Sequence, residues 1–234
     1  MLDKNKVKQF WDNRSKYYNK MAFESIVNLE QHPGNLAIKI HDEKKKVMAW
    51  LPDLKDKTIL DLGSGIGQWS FRFIEQGAQY VQAVEFSESL AEIGRNEALR
   101  RNVNNLEYVV SPAEAYQSDK IYDIIFISGL MVYLNDEQAE KLLANLVSFS
   151  SSETKILLRE GTGIKERYEI NNQFSEHLQD YYSATYRTAG QYKKLFNRYG
   201  FSLIKEENMF PEGHILNKYP QTRLRLYLMA KNDG

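Results

Sequence analysis

The sequence contains no cysteine. That excludes disulfides, thiolate metal sites, iron–sulfur clusters and any cysteine nucleophile. It agrees with a reducing compartment. A surplus of charge is also missing: 31 Lys and Arg face 31 Asp and Glu, for a net charge of zero. A protein built to hold a phosphate backbone carries a basic surplus. Long apolar runs are absent as well. The most apolar stretch, IIFISGLMVYL at 124–134, is too short to span a bilayer and is broken by Ser128 and Gly129. The start, MLDKNKVKQFWDNR, is charged and reads as no signal peptide. No repeat stands out. A cytoplasmic protein with no membrane partner, no nucleic-acid partner and no metal site is expected.

What is present is one α/β domain. The 234 residues, 42% of them apolar, fit one core with additions, at ~150 residues per domain. Residues 1–52 read as a helical cover: Val7, Phe10, Trp11, Tyr17, Tyr18 and Met21 fall mostly at helical spacing. Leu36, Ile40, Val47 and Leu51 repeat the pattern after a break at His32-Pro33-Gly34, and Pro52 ends it. Residues 53–160 read as a core of alternating strands and helices. Its apolar runs lie at 58–62, 79–85, 106–111, 122–128 and 154–160. Their near-continuous apolar character predicts parallel strands covered on both faces. Residues 188–234 add a helix closed by Gly200, then FSLIKEEN and TRLRLYLMAK as an antiparallel pair. The expected fold is a seven-stranded Rossmann-like sheet, mostly parallel, with helices on both faces and the antiparallel last strand at an edge. The polar, Tyr- and Arg-rich stretch 161–187 breaks this rhythm and reads as a lid-like insertion.

The densest chemical signal is ILDLGSGIGQWS at 59–70. A strand ends, Gly63, Gly65 and Gly67 alternate, and a helix begins. Such glycines let backbone approach a ligand closely, and the helix start presents free N–H groups. The spacing is G-x-G-x-G rather than the dinucleotide G-x-G-x-x-G. Glu85 ends the next strand, 18 positions beyond Gly67. A carboxylate there can accept both hydroxyls of a ribose.

These stretches resemble class I S-adenosylmethionine-dependent methyltransferases of the small-molecule type. ILDLGSGIG resembles the first motif of that family, VQAVEFSESL the second, SPAEAY at 111–116 the adenine-side loop, and YDIIFISGLMVYL the fourth-strand motif. The resemblance implies S-adenosylmethionine as cofactor and S-adenosylhomocysteine as product. It implies that Gly63, Ser64 and Gly65 pass along the methionine part and that Asp61 holds its amino end. Glu85 would bind the ribose and Phe86 would lie against the adenine. Ala113 and Glu114 would sit beside the adenine amine, and Ser128 and Gly129 near the reacting methyl. FWDNRSKYY resembles a helix that closes over the cofactor, with Trp11, Arg14 and Tyr18 as candidates.

The lack of cysteine excludes a cytosine C5 methylase, which needs a cysteine nucleophile, and a radical enzyme using the same cofactor, which needs three cysteines for its cluster. Ser-Gly-Leu-Met at 128–131 replaces the motif of methylases acting on exocyclic base amines. The expectation is methyl transfer to oxygen or nitrogen of a small polar molecule: a sugar, a nucleotide-linked sugar or a natural-product intermediate. Candidate bases are His214 between the last two strands, Glu160 after the fifth strand, and His177 in the insertion. Tyr133, just past the fourth strand, is a further catalytic candidate. Arg159, Arg167, Tyr168, Tyr182, Tyr186 and Arg187 suit a polar acceptor with rings, hydroxyls or an anionic group. The competing readings are a non-catalytic S-adenosylmethionine-binding module or partner subunit, a nucleic-acid methylase, and a nicotinamide oxidoreductase. A monomer or homodimer is expected.

Overall fold

The computed structural model describes residues 2–16, 22–30, 32–176 and 178–232. Two helices come first, α1 (Lys4–Ser15) and α2 (Pro33–Trp50). The core runs β1 (Thr58–Leu62), α3 (Gln68–Glu75), β2 (Tyr80–Glu85), α4 (Glu88–Arg100), β3 (Leu106–Val110), β4 (Ile124–Ser128), α5 (Asp136–Ser148) and β5 (Lys155–Gly163). Then follow β6 (Tyr168–Ser175), β7 (Asp180–Tyr186), α6 (Ala189–Arg198), β8 (Phe201–Asn208) and β9 (Thr222–Lys231).

Seven strands form one sheet in the order β3-β2-β1-β4-β5-β9-β8. The first five are parallel, and β9 runs antiparallel to both β5 and β8. The seven-stranded, mostly parallel sheet thus agrees with expectation. The edge does not: β9 lies between β5 and β8, and β8 is the edge strand. Its position explains the burial of Leu226 and Tyr227 on opposite faces of β9.

Strand alternation feeds two cores. Leu60, Ile125, Ile127 and Leu158 pack with α5 and α6 on one face. Ile59, Phe126 and Leu157 pack with α3 and with Val47 of α2 on the other. Strands buried on both faces read as continuous apolar runs, which is why these were visible in sequence. The helix starts follow local chemistry. Asn135 with Gln138 and Thr188 with Gln191 form capping boxes for α5 and α6. The His32-Pro33 break is the start of α2: the His32 ring accepts from Asn35 N–H and proline occupies the first turn.

The insertion 161–187 differs from a lid loop. Residues 161–163 extend β5, and β6 and β7 form a separate antiparallel hairpin with a bulge between Ile170 and Gln173. Tyr182 of this hairpin packs edge-on against Phe10 of α1, and Tyr133 packs beside them. Among the described residues no helix is long and apolar enough to cross a membrane. The expected helical positions Tyr17, Tyr18 and Met21, and the candidate His177, lie outside the described residues.

Candidate active site

The carboxyl ends of β1, β2 and β4 open on one cavity of about 280 Å³. Parallel sheets bind ligands at this edge, where the strand order reverses between β1 and β4. The glycine turn forms its floor. Gly63 and Ser64 N–H donate to the Val84 carbonyl, tying the turn to β2. Gly65 has φ +58°, and a Cβ there would lie 2.9 Å from a Val27 methyl. Gly67 has φ +81° and caps α3. Its Cβ would collide with the Tyr108 hydroxyl, so this glycine makes room for a protein ring rather than for a ligand.

Two buried carboxylates stand on the floor. Glu85 Oε2 accepts from Gly65 N–H at 2.8 Å and Oε1 from Ser87 N–H at 2.9 Å. Burial pushes Glu85 up to about 7, against the pull of these N–H groups. Asp61 Oδ2 accepts from Ser70 Oγ at 2.6 Å. Burial, with the Glu85 charge nearby, pushes Asp61 up to about 7 as well. Two more polar atoms on the wall, Ser64 Oγ and Gln68 Oε1, are buried and hydrogen-bond to nothing in the described structure. A site with buried carboxylates and free polar atoms fits a ligand that brings cationic groups and hydroxyls. S-adenosylmethionine, with its sulfonium, amino group and ribose diol, has that chemistry.

The other walls hold most of the expected cofactor contacts. Phe86, Ala113, Glu114, Ser128 and Gly129 all line the cavity, as does Trp11 of α1. Gly129 has φ +61°, and a Cβ there would meet nothing within 4 Å. Helix α1 is clasped over the opening: Lys4 pairs with Glu114 at 2.6 Å, and Asp12 accepts from Ser87 Oγ at 2.5 Å. Arg14 does not line this cavity. Its guanidinium donates to the carbonyls of Ile26 and Asn28, both at 2.9 Å, and so holds the segment that carries Val27.

A second cavity of about 370 Å³ adjoins the first and shares Leu29, Glu30, Lys39 and Leu224 with it. The hairpin supplies Tyr168, Tyr182 and Tyr186, and the β8–β9 loop supplies Phe210, Leu216, Lys218 and Tyr219. A hydroxyl chain links the two spaces. Tyr133, on the first cavity, hydrogen-bonds Tyr182 at 3.1 Å, and Tyr182 reaches Tyr186 at 3.4 Å. Burial raises all three phenols well above their ordinary value, so they remain protonated. Tyr133 can position a group by hydrogen bonding but holds no phenolate.

Charge collects at the junction of the cavities. Lys218 pairs with the buried Glu30 at 2.6 Å. Glu43 pairs with Arg159 at 2.5 Å and Lys39 at 3.1 Å. Burial lowers the Lys39 ammonium despite the Glu43 charge beside it. Burial works to raise Glu43, yet Arg159 and Lys39 outweigh it and hold it below the usual carboxylate value. Arg159 also donates to Ser128 Oγ at 2.9 Å, and its buried Nε has no partner among the described residues.

Four sequence candidates have other work. Glu160 lines neither cavity: it is fully buried and accepts from Met131 N–H at 2.7 Å and Gly161 N–H at 2.9 Å, bracing the turn after β4. Arg187 is buried and donates to the Met131 and Leu134 carbonyls, both at 2.8 Å, and to Asp136. Arg167 pairs at the surface with Asp136 and Glu169. His214 lines neither cavity, stacks on Phe210 at 4.9 Å and accepts from Leu216 N–H. An arginine beside a strand end looks the same in sequence whether it faces a ligand or ties down a carbonyl. Sequence reasoning missed Glu30, Lys39 and Lys218, which carry no motif. Only the chain's path brings them to the junction.

Residues 59–151 match the family model of a methyltransferase domain. The sheet order and the glycine turn agree with the fold of class I S-adenosylmethionine-dependent methyltransferases, and solved structures of that class superpose over most of this chain. Phosphoethanolamine N-methyltransferase 1 of Triticum aestivum is 28% identical over 205 residues, covering 84% of this chain and 39% of the relative. The chain spans well under half the length of the curated relatives it matches. Among solved structures, phosphoethanolamine N-methyltransferase 1 of Haemonchus contortus, in complex with phosphoethanolamine and S-adenosylhomocysteine, superposes with a TM-score of 0.75. It is 22% identical and is covered over 50% of its length, against 99% of this chain. The 1,6-didemethyltoxoflavin-N1-methyltransferase of Burkholderia thailandensis has a TM-score of 0.65 at 15% identity, covering 97% of this chain and 91% of that one.

Proposed function

We infer that this protein transfers a methyl group from S-adenosylmethionine to a nitrogen of a small molecule seated in the second cavity. The observation that carries this reading is the shared wall: Leu29, Glu30, Lys39 and Leu224 face both cavities, so a ligand in one is adjacent to a ligand in the other. Asp61, Gly63, Ser64, Gly65 and Glu85 would hold the cofactor, with Phe86, Ala113 and Glu114 on its adenine side. The cofactor supplies an electrophilic methyl on a sulfonium. The nitrogen acceptor is favoured because the relatives named above methylate nitrogen by name.

An amine must be neutral to offer its lone pair. The desolvation that lowers Lys39 would act on an amine brought to the junction as well, opposed by the Glu30 and Glu43 carboxylates beside it. Protonated Tyr133 and Tyr182 can hold the acceptor by hydrogen bonds, and α1 meets the hairpin beside them through Phe10 and Tyr182. No side chain in this arrangement has to act as a strong base. Positioning supplies most of the acceleration.

The test has two stages. Calorimetric titration with S-adenosylhomocysteine should give saturable binding. Incubation with S-adenosylmethionine and a panel of amines that includes phosphoethanolamine should then give a methylated product by mass spectrometry. Binding of NADH with none of S-adenosylhomocysteine would overturn the reading.

A further inference from the structure

We propose that the methyl acceptor is amphiphilic: an amine head on an aryl or alkyl body, with the body in the second cavity. This deepens the methyl-transfer reading above and rests on it. The cavity is polarised along its length. Its charged residues, Glu30, Lys39 and Lys218, gather at the end shared with the cofactor cavity, where Lys218 pairs with Glu30. Away from that end the walls are mainly aliphatic and aromatic, with Ile170, Phe174, Leu178, Phe210 and Leu216 among them. Gln173, Ser175 and Thr222 supply the remaining polar lining.

Size points the same way. A volume of about 370 Å³ holds about a dozen waters at ~30 Å³ each. A two-carbon amine would leave most of that water against apolar walls. An apolar body would release it, which is the favourable direction. Phe174 and Tyr219 line the cavity yet remain 53% and 57% exposed. Both rings can close on a ligand that reaches the mouth. The faces of Tyr168, Tyr182 and Tyr186 offer contact to an aryl group or to an ammonium.

The experiment compares 2-phenylethylamine, ethanolamine and phosphoethanolamine. Each is titrated calorimetrically into the protein with and without saturating S-adenosylhomocysteine, and each is assayed for methyl transfer. We expect 2-phenylethylamine to bind at least tenfold more tightly than the other two and to show a kcat/KM at least tenfold higher. Ile170→Asp and Leu216→Asp should each remove that preference, with S-adenosylhomocysteine binding as the check that the fold is intact. Equal or tighter binding of ethanolamine or phosphoethanolamine would overturn the proposal, as would a preference unchanged in both variants. Failure to bind S-adenosylhomocysteine would instead overturn the methyl-transfer reading. The titrations without it would still decide the chemistry of the second cavity.

Discussion

Replacing Glu85 by alanine should destabilise the free protein and weaken cofactor binding, and the two effects are separable. The carboxylate accepts from Gly65 N–H and Ser87 N–H and is 4% exposed. Alanine leaves both amide donors buried without acceptors. At about 1–3 kcal/mol each, the free protein should lose roughly 2–6 kcal/mol. At about 2–4 °C per kcal/mol for a chain of this size, that is a clear fall in Tm. Loss of the ribose contacts removes charge-assisted hydrogen bonds worth about 1.5–3 kcal/mol. The Kd for S-adenosylhomocysteine should therefore rise roughly 10- to 150-fold. The pH dependence adds an independent check. Burial pushes Glu85 and Asp61 each up to about 7. Both folded-state values lie above the unfolded ones, so the stability tied to these groups is fully present below about pH 4 and is lost as pH rises through about 7. Cofactor binding runs the other way, because the cofactor's donors favour the ionised carboxylates. Wild-type affinity should rise from pH 6 to pH 8 and then level, and Glu85→Ala should retain only the share due to Asp61. A variant with lowered Tm but unchanged Kd and pH slope would refute the ribose role and leave Glu85 as a brace for the glycine turn.

Arg187→Leu should cost roughly 2–6 kcal/mol, because it removes a buried donor from the Met131 and Leu134 carbonyls, while the exposed Asp136 keeps Arg167; denaturant unfolding checks this. Gly65→Ala should destabilise by at least ~1–2 kcal/mol from its left-handed backbone alone, with added strain from Val27, and differential scanning calorimetry measures it. His214→Ala should leave both kcat and the Kd for S-adenosylhomocysteine unchanged, since the ring lines neither cavity; a large fall in kcat measured in the methyl-transfer assay would return it to the site.

The parallel half of the fold was legible because each strand is buried on both faces and so reads as an apolar run. The glycine turn and Glu85 were legible because their spacing carries a geometric meaning. The hairpin was not. β6 is largely exposed, and YEINNQFS offers a period-2 signal weakened by a bulge. The place of β9 was missed for a related reason: Arg223 and Arg225 gave it the look of an edge, whereas β8 supplies its outer neighbour. Arg167 and Arg187 were named as ligand contacts on residue type within the insertion, and Arg14 on the resemblance of FWDNRSKYY to a covering helix. Sequence holds no record of whether a guanidinium meets a ligand or a backbone carbonyl. Glu30 and Lys39 were invisible because their role depends on residues 22–30 and 32–40 reaching the strand ends, a long-range event without a local pattern.

The second cavity has a consequence for how such a protein can change. Its walls come mainly from the segment before and into α2, the β6–β7 hairpin and the β8–β9 loop. None of these supplies the glycine turn, and none is a parallel strand. Substitutions on the hairpin, at Tyr168, Ile170, Gln173 or Phe174, alter what is received without touching Gly63, Gly65 or Glu85, whereas Phe210, Leu216 and Leu224 also pack on a main core. The molecule thus joins a body that is costly to alter to a hairpin that is freer to diverge. Selectivity can wander among descendants of this chain while the body beneath it stays fixed.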